Sequence, residues 1–125
     1  MIGISPKAVD TVEKEIVDSK FLESMADRRP FMKRMFTVFI SQEPKRIQNI
    51  RDALTSGDVE KLRHLAHSLK GGAATIGVER VRDCCLQLEN ACRAGDLHSA
   101  LALMDHLEEE MRHAYEFMFN YLAEH

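Results

Sequence analysis

The chain has 125 residues, of which 45% are hydrophobic and 30% charged, and a formal net charge of -3. That length supports one globular core and is too short for two. The mixed, near-neutral charge lacks the basic patch or stripe of a nucleic-acid binder, and no apolar run approaches the roughly 20 residues that span a bilayer. A basic segment followed by an apolar one is absent from the N-terminus, so no secretory signal is expected. Three cysteines, Cys84, Cys85 and Cys92, are an odd number without Cys-x-x-Cys spacing on one helical segment, which favours reduced thiols in a reducing, cytoplasmic compartment. The seven methionines read as adaptable core filler or as the lining of a docking surface.

Ser5 to Val17 carries Val9, Val12 and Ile16 at helical spacing, with Ser5 as N-cap and Pro6 at the first helical position. Asp18 or Ser19 caps a second short helix through Phe21, Leu22 and Met25, ending before Arg28 and Arg29. From Pro30 the pattern Met32, Met35/Phe36, Phe39/Ile40, Ile47, Ile50 and Leu54 keeps a 3-4 spacing. It predicts one long helix that Pro44 kinks without ending, because the register resumes at Ile47. Gly57 stops that helix as a left-handed C-terminal residue, and Asp58 caps the next.

The next helix runs to Gly77, with Leu62, Leu65, Leu69, Ala73 and Ile76 as its buried stripe. Val78, Val81, Cys85, Leu88 and Cys92 then step by three or four, so a further amphipathic helix is expected to about Ala94. Gly95-Asp96 repeats the Gly57-Asp58 punctuation. It opens a final helix with Leu97, Leu101, Met104, Leu107 or Glu108, Met111, Ala114/Tyr115, Met118 and Leu122 on one side. No segment alternates apolar and polar residues as a strand would. The expectation is an all-α chain: a single domain over 1-125, with one or two short N-terminal helices at about 5-26 and an antiparallel up-down four-helix bundle at about 30-122.

His67 stands out within Leu65-Ala66-His67-Ser68-Leu69-Lys70-Gly71-Gly72-Ala73-Ala74-Thr75-Ile76-Gly77. Lys70, Gly71 and Ala74 share its helical face at i+3, i+4 and i+7, opposite the leucine stripe. Two interior glycines each cost about 1 kcal/mol against alanine, so the helix gives up propensity to keep the ground beside one exposed histidine clear for a bulky partner. An unperturbed imidazole, with a pKa of about 6.5, is largely neutral at neutral pH and offers a lone pair that can attack phosphorus. Lys70 would balance the charge of the group acquired, as a point cation. The same surface has no second base, no carboxylate pair and no glycine-rich phosphate loop. The histidine could carry a phosphoryl group, but this chain could not supply it.

Other candidates are weaker. His64 and His67 lie three apart, and Glu110-x-x-His113 is half of a di-iron bundle motif, but such sites need two such motifs and two further glutamates pointing inward. His106, Glu110 and His113 fall off the Leu/Met stripe, and a solvated polar face is the simpler reading, so no metal is expected. Cys85 and Cys92 sit in the apolar stripe and read as core, with Cys84 left open. Glu108-Glu109-Glu110 reads as helix surface.

Ala66-His67-Ser68-Leu69-Lys70-Gly71 with Ile76-Gly77, then Cys85 and Leu88-Glu89, resembles the histidine-containing phosphotransfer domain. The likeness extends over nearly the whole chain and includes Phe39 to Pro44 and Ala53 to Asp58. The resemblance implies that His67 accepts a phosphoryl group from a receiver-domain aspartate and passes it to another, that Lys70 stabilises the phosphoryl oxygens, and that Gly71 leaves room for them and the partner. It implies receiver domains of a hybrid sensor kinase and a response regulator as partners, a monomeric carrier without kinase activity, and no cofactor beyond magnesium brought by the receiver. Arg63, His64, Ala74 and Glu89 are the expected binding surface. Family members commonly have hydroxyl residues after the Lys-Gly pair, whereas Gly72 and Ala73 keep the size and lose the hydroxyl. Several members place a glutamine on the following helix near the histidine; an ungapped count points to Glu89, and Gln87 is close by. The alternative from another class is a helical interaction module that docks receivers without phosphotransfer.

Overall fold

The computed structural model describes residues 14-124. Five α-helices run through them: α1 (Ser19–Ser24), α2 (Arg29–Ser56), α3 (Val59–Thr75), α4 (Glu79–Arg93) and α5 (Leu97–Glu124), and the described residues contain no strand. Helices α2 to α5 pack as the closed cycle α2-α3-α4-α5-α2 with no diagonal contact, the arrangement of an up-down four-helix bundle joined by short turns. No described helix is long and apolar enough to cross a membrane.

The punctuation works as its chemistry dictates. Gly57 ends α2 in the left-handed region at φ 74, where only glycine avoids a Cβ penalty. Asp58 then accepts from Lys61 N at 3.2 Å to open α3, and Asp96 accepts from Ser99 N at 3.0 Å at the start of α5. Helix α2 runs through Pro44 unbroken and begins at Arg29, one residue before the expected start. The predicted helix over Ser5 to Val17 lies outside the described residues except for its last four. Those are not helical: Asp18 N donates to Gly77 O at 2.9 Å and Lys14 Nζ to Asp83 Oδ2 at 2.9 Å, which ties this stretch to the α3–α4 turn and to α4 itself instead of to its own backbone.

The core is the inward stripe of all four long helices: Met32, Phe36 and Ile50 from α2, Leu62, Leu69 and Ala73 from α3, Val81, Cys85 and Leu88 from α4, Met104, Leu107 and Met118 from α5. Tyr121 meets Phe36 edge-on at 5.3 Å. Five methionines (Met25, Met32, Met104, Met111, Met118) fill core space, and all three cysteines are buried and free. Burial pushes each thiol above its ordinary pKa, that of Cys84 to about 12, so they are unreactive.

Some expectations need correction. Leu65 is only half-buried at the edge of the stripe, and the buried position beside it is Ala66. Leu97 and Leu101 are exposed, because the first turn of α5 presents Ala100 inward instead. Glu110 is not on a wet face. It is buried and ion-paired with Arg80 across α4 and α5, Nε to Oε1 at 2.8 Å, while His106 and His113 flank it from the rim.

Glu43 is a second buried carboxylate, 4% exposed, with neither oxygen hydrogen-bonded. Burial drives its pKa from 4.5 to about 7, with Arg46 pulling weakly the other way. A raised folded-state pKa favours the protonated form: the associated stability is fully present below about pH 4.5 and is lost as pH rises towards 7. That shift corresponds to about 3 kcal/mol. Denaturant titrations should therefore show the wild type losing stability across this window while Glu43→Gln loses less by about that amount; equal losses would mean that Glu43 is solvated. Gly77 has φ 74 and a Cβ there would lie 2.8 Å from Phe21 Cβ, so Gly77→Ala should lower unfolding stability by about 2 kcal/mol or more, read as a lower midpoint at unchanged slope.

Candidate functional site

Helix α3 carries the site because its inward positions Leu62, Ala66, Leu69 and Ala73 are fully buried, which by the 3.6-residue period turns His67, Ser68, Gly71 and Ala74 to solvent. The His67 side chain is 65% exposed. Lys70, one turn on, is half-buried and leans towards α4.

What α3 leans on is Glu89 of α4, whose side chain is 0% exposed. Glu89 Oε2 lies 3.0 Å from His67 Nδ1 and Oε1 lies 2.6 Å from Lys70 Nζ. The second contact is an ion pair outside hydrogen-bonding angles, since Oε1 has no aligned donor. Arg93 Nη2 adds a longer contact at 3.4 Å to Oε2. Burial by itself raises the Glu89 pKa, but Lys70 and His67 beside it outweigh burial and hold the carboxyl below its ordinary value. Glu89 is therefore an anion that can only accept.

The tautomer of His67 follows. Facing an ionised carboxylate, Nδ1 must carry the proton, so the neutral ring keeps its lone pair on Nε2, the nitrogen on the exposed side. A buried carboxylate thus aims a nucleophilic nitrogen outward, in the manner of a third group orienting a base.

The glycines support an outward use. A Cβ at Gly71 would meet nothing within 4 Å, and one at Gly72 only Arg46 Nη1 at 3.6 Å, an ordinary contact. Neither is required by packing among the described residues. Of the expected surface residues, His64 and Ala74 are exposed and Arg63 is half-exposed, its Nη2 2.9 Å from Glu60 Oε1. Glu89 is a correction: it is no surface residue but the floor beneath His67 and Lys70. Its burial follows from Cys85, Glu89 and Cys92 falling at i, i+4 and i+7 on the apolar face of α4, a signal present in the sequence. Gln87, the other candidate for the position beside the histidine, is exposed and lines a different depression with Lys14, Arg80 and His106.

Sequence reasoning missed an apolar groove of about 450 Å³ between α2 and α3, lined by Phe31, Met35, Val38, Phe39, Gly72 and Ile76 and rimmed by Arg34 and Arg46. Arg28 and Arg34 stack on the Phe31 ring at 4.7 and 5.7 Å. Phe31 and Val38 lie off the core stripe of α2, which was the available sign. Among the described residues, no group of three or more His, Cys, Asp and Glu side chains could hold a metal ion.

A four-helix bundle that presents one oriented, exposed imidazole beside a lysine and cleared helical ground has the form of a histidine phosphotransfer module. The family comparison agrees: residues 34–116 match the Hpt domain model, and the chain belongs to that family. It is 28% identical over 100 residues to histidine-containing phosphotransfer protein 4 of Arabidopsis thaliana, covering 75% of this chain and 79% of that protein. It is 27% identical over 104 residues to multistep phosphorelay regulator 1 of Schizosaccharomyces pombe, covering 79% of this chain but only 34% of the relative. The crystal structure of histidine-containing phosphotransfer protein B (HptB) from Pseudomonas aeruginosa PAO1 superposes with a TM-score of 0.83 at 26% identity, covering 90% of this chain and 99% of that one.

Because nothing among the described residues lies within 4 Å of a Cβ at Gly71, Gly71→Ala should stabilise the protein by up to about 1 kcal/mol through helix propensity. A loss of stability in thermal or denaturant unfolding would show that packing requires the glycine.

Proposed function

We propose that this chain is a phosphorelay intermediate. His67 accepts a phosphoryl group from the aspartyl phosphate of one receiver domain and returns it to the aspartate of another. The observation that carries the reading is the hydrogen bond at 3.0 Å between His67 Nδ1 and the buried, ionised Glu89, which leaves the Nε2 lone pair exposed.

In the accepting step the Nε2 lone pair attacks phosphorus, the bond from phosphorus to the aspartate oxygen breaks, and the carboxylate leaves on the receiver. The ring keeps its Nδ1 proton, so it becomes a cation with the phosphoryl group on Nε2. The reverse sequence donates the group. Positioning and charge neutralisation dominate such transfers, and here His67, Lys70 and the cleared surface at Gly71 are what the carrier contributes. The acidic pocket and its magnesium belong to the receiver, so the chain itself needs no cofactor and acts as a carrier without kinase activity.

The receiver docks over α3 and the adjoining α2 groove. Apolar Phe31, Met35 and Val38 supply desolvated contact. Arg34, Arg46, Arg63 and Arg93 around the face suit the acidic rim of an aspartate pocket. The receivers of a hybrid sensor kinase and a response regulator are the corresponding donor and acceptor, the chain acts as a monomer, and the exchange takes place in the cytoplasm.

Acetyl phosphate with a cognate receiver, but not ATP alone, should label the protein with acid-labile phosphate, and His67→Gln should abolish the label. Unchanged labelling of that variant would put the acceptor elsewhere, and receiver binding without any exchange would reduce the chain to a docking module.

A further inference from the structure

The geometry points to Glu89 as a residue that exchanges partners when His67 is phosphorylated: the carboxylate paired with Lys70 in the resting protein becomes the counter-ion of the phospho-imidazolium, which releases Lys70 to the phosphoryl oxygens. This rests on His67 being the phosphoacceptor.

Lys70 is not free in the resting protein. Its Nζ is held 2.6 Å from a carboxylate that is wholly buried, and removing the partner of a buried charge is strongly unfavourable. Lys70 can turn to a phosphoryl group on the neighbouring turn only if another cation takes its place at Glu89. Arg93 already contacts the opposite oxygen, Oε2, at 3.4 Å with its side chain 54% exposed, so it is part of the resting charge balance and does not replace Lys70 at Oε1.

The transfer itself supplies that cation. Forming the bond from Nε2 to phosphorus while Nδ1 keeps its proton leaves a positive ring, and the nitrogen that carries the proton lies 3.0 Å from Glu89 Oε2. The charge appears where the vacated lysine would otherwise be missed. Lys70 is three residues from His67 on the same helix, with its side chain 23% exposed, so a rotamer change suffices to reach the new anion. No buried charge is left alone at either end of the exchange.

The other groups facing this cluster do not compete. Arg63 of α3 is engaged by Glu60, Cys85 and Cys92 of α4 are thiols kept neutral by burial, and Glu43 of α2 is not among the groups that shift Glu89. A glutamine in place of Glu89 could hold the same ring nitrogen, but it could not compensate the ring's charge. Glu89 is thus a positioning residue: it acts through His67 and Lys70 and does not touch the transferred group.

Phosphoramidate, which phosphorylates histidine without a receiver, provides the test and separates this proposal from the relay itself. In the wild type, the Lys70 Nζ resonance followed by 15N NMR should shift on phosphorylation, and a 31P titration should give the protonation midpoint of the phospho-ring. In Glu89→Gln that midpoint should fall by about one pH unit or more, with helicity retained by circular dichroism. A Lys70 signal that ignores phosphorylation, or an equal midpoint in the variant, overturns the exchange. If the variant does not fold, the wild-type lysine signal decides. Failure of receivers to exchange phosphate with a protein that passes these tests would count against the relay and not against the exchange.

Discussion

A single carboxylate buried between α3 and α4 sets the terms for the site. Glu89 lies against His67 Nδ1 and Lys70 Nζ, and an anion at that depth survives only if the helices exclude water and keep both partners within reach. The bundle is built accordingly. Helices α3 and α4 are the most closely packed pair, and small residues Ala66 and Ala73 on the inner face of α3 let the two backbones approach. Leu69 and Leu88, each almost fully buried, form the apolar floor that lowers the local dielectric and strengthens the contacts above it.

The three buried glutamates show how much the surroundings decide. Glu89 faces a lysine and an imidazole N–H and stays ionised. Glu110 faces Arg80 and becomes a cross-link between α4 and α5. Glu43 faces no donor and shifts towards the neutral acid. The residue type is the same and the burial is similar, yet one holds an imidazole and a lysine, one pins helices and one weakens the fold at neutral pH. Glu89 is kept an anion by its partners, whereas an uncompensated charge such as that of Glu43 in an apolar bundle is neutralised instead.

The outer surface is divided as sharply. The side of α3 beside His67 is bare at Gly71, whereas the neighbouring groove on α2 exposes Phe31 and Val38 beneath arginines. The exposed imidazole, the cleared ground and the apolar groove lie side by side but come from two helices. The Gly77 turn keeps them in register: Asp18 donates to its carbonyl and Phe21 covers its α-carbon, so α1 clamps the end of α3.

Much of this was legible in the amino-acid order. Helix positions followed from apolar spacing and from the caps at Gly57, Asp58 and Asp96, which are local interactions of a few residues. The exposure of His67 and the place of Lys70 and Gly71 beside it followed from the period of one helix, and the tie to the phosphotransfer family rested on that motif together with stretches such as Phe39 to Pro44 and Ala53 to Asp58. The α2 groove, the burial of Glu43 and Glu110 and the position of Glu89 beneath the histidine depend on which helix stands opposite, at contacts such as residue 67 with 89 and 80 with 110. A sequence read along one helix can say that Glu89 shares a face with Cys85 and Cys92. Whether that face meets a lysine and an imidazole, or nothing at all, is settled only when α3 and α4 pack, since the energy of a buried charge is a property of its neighbours and not of its own residue.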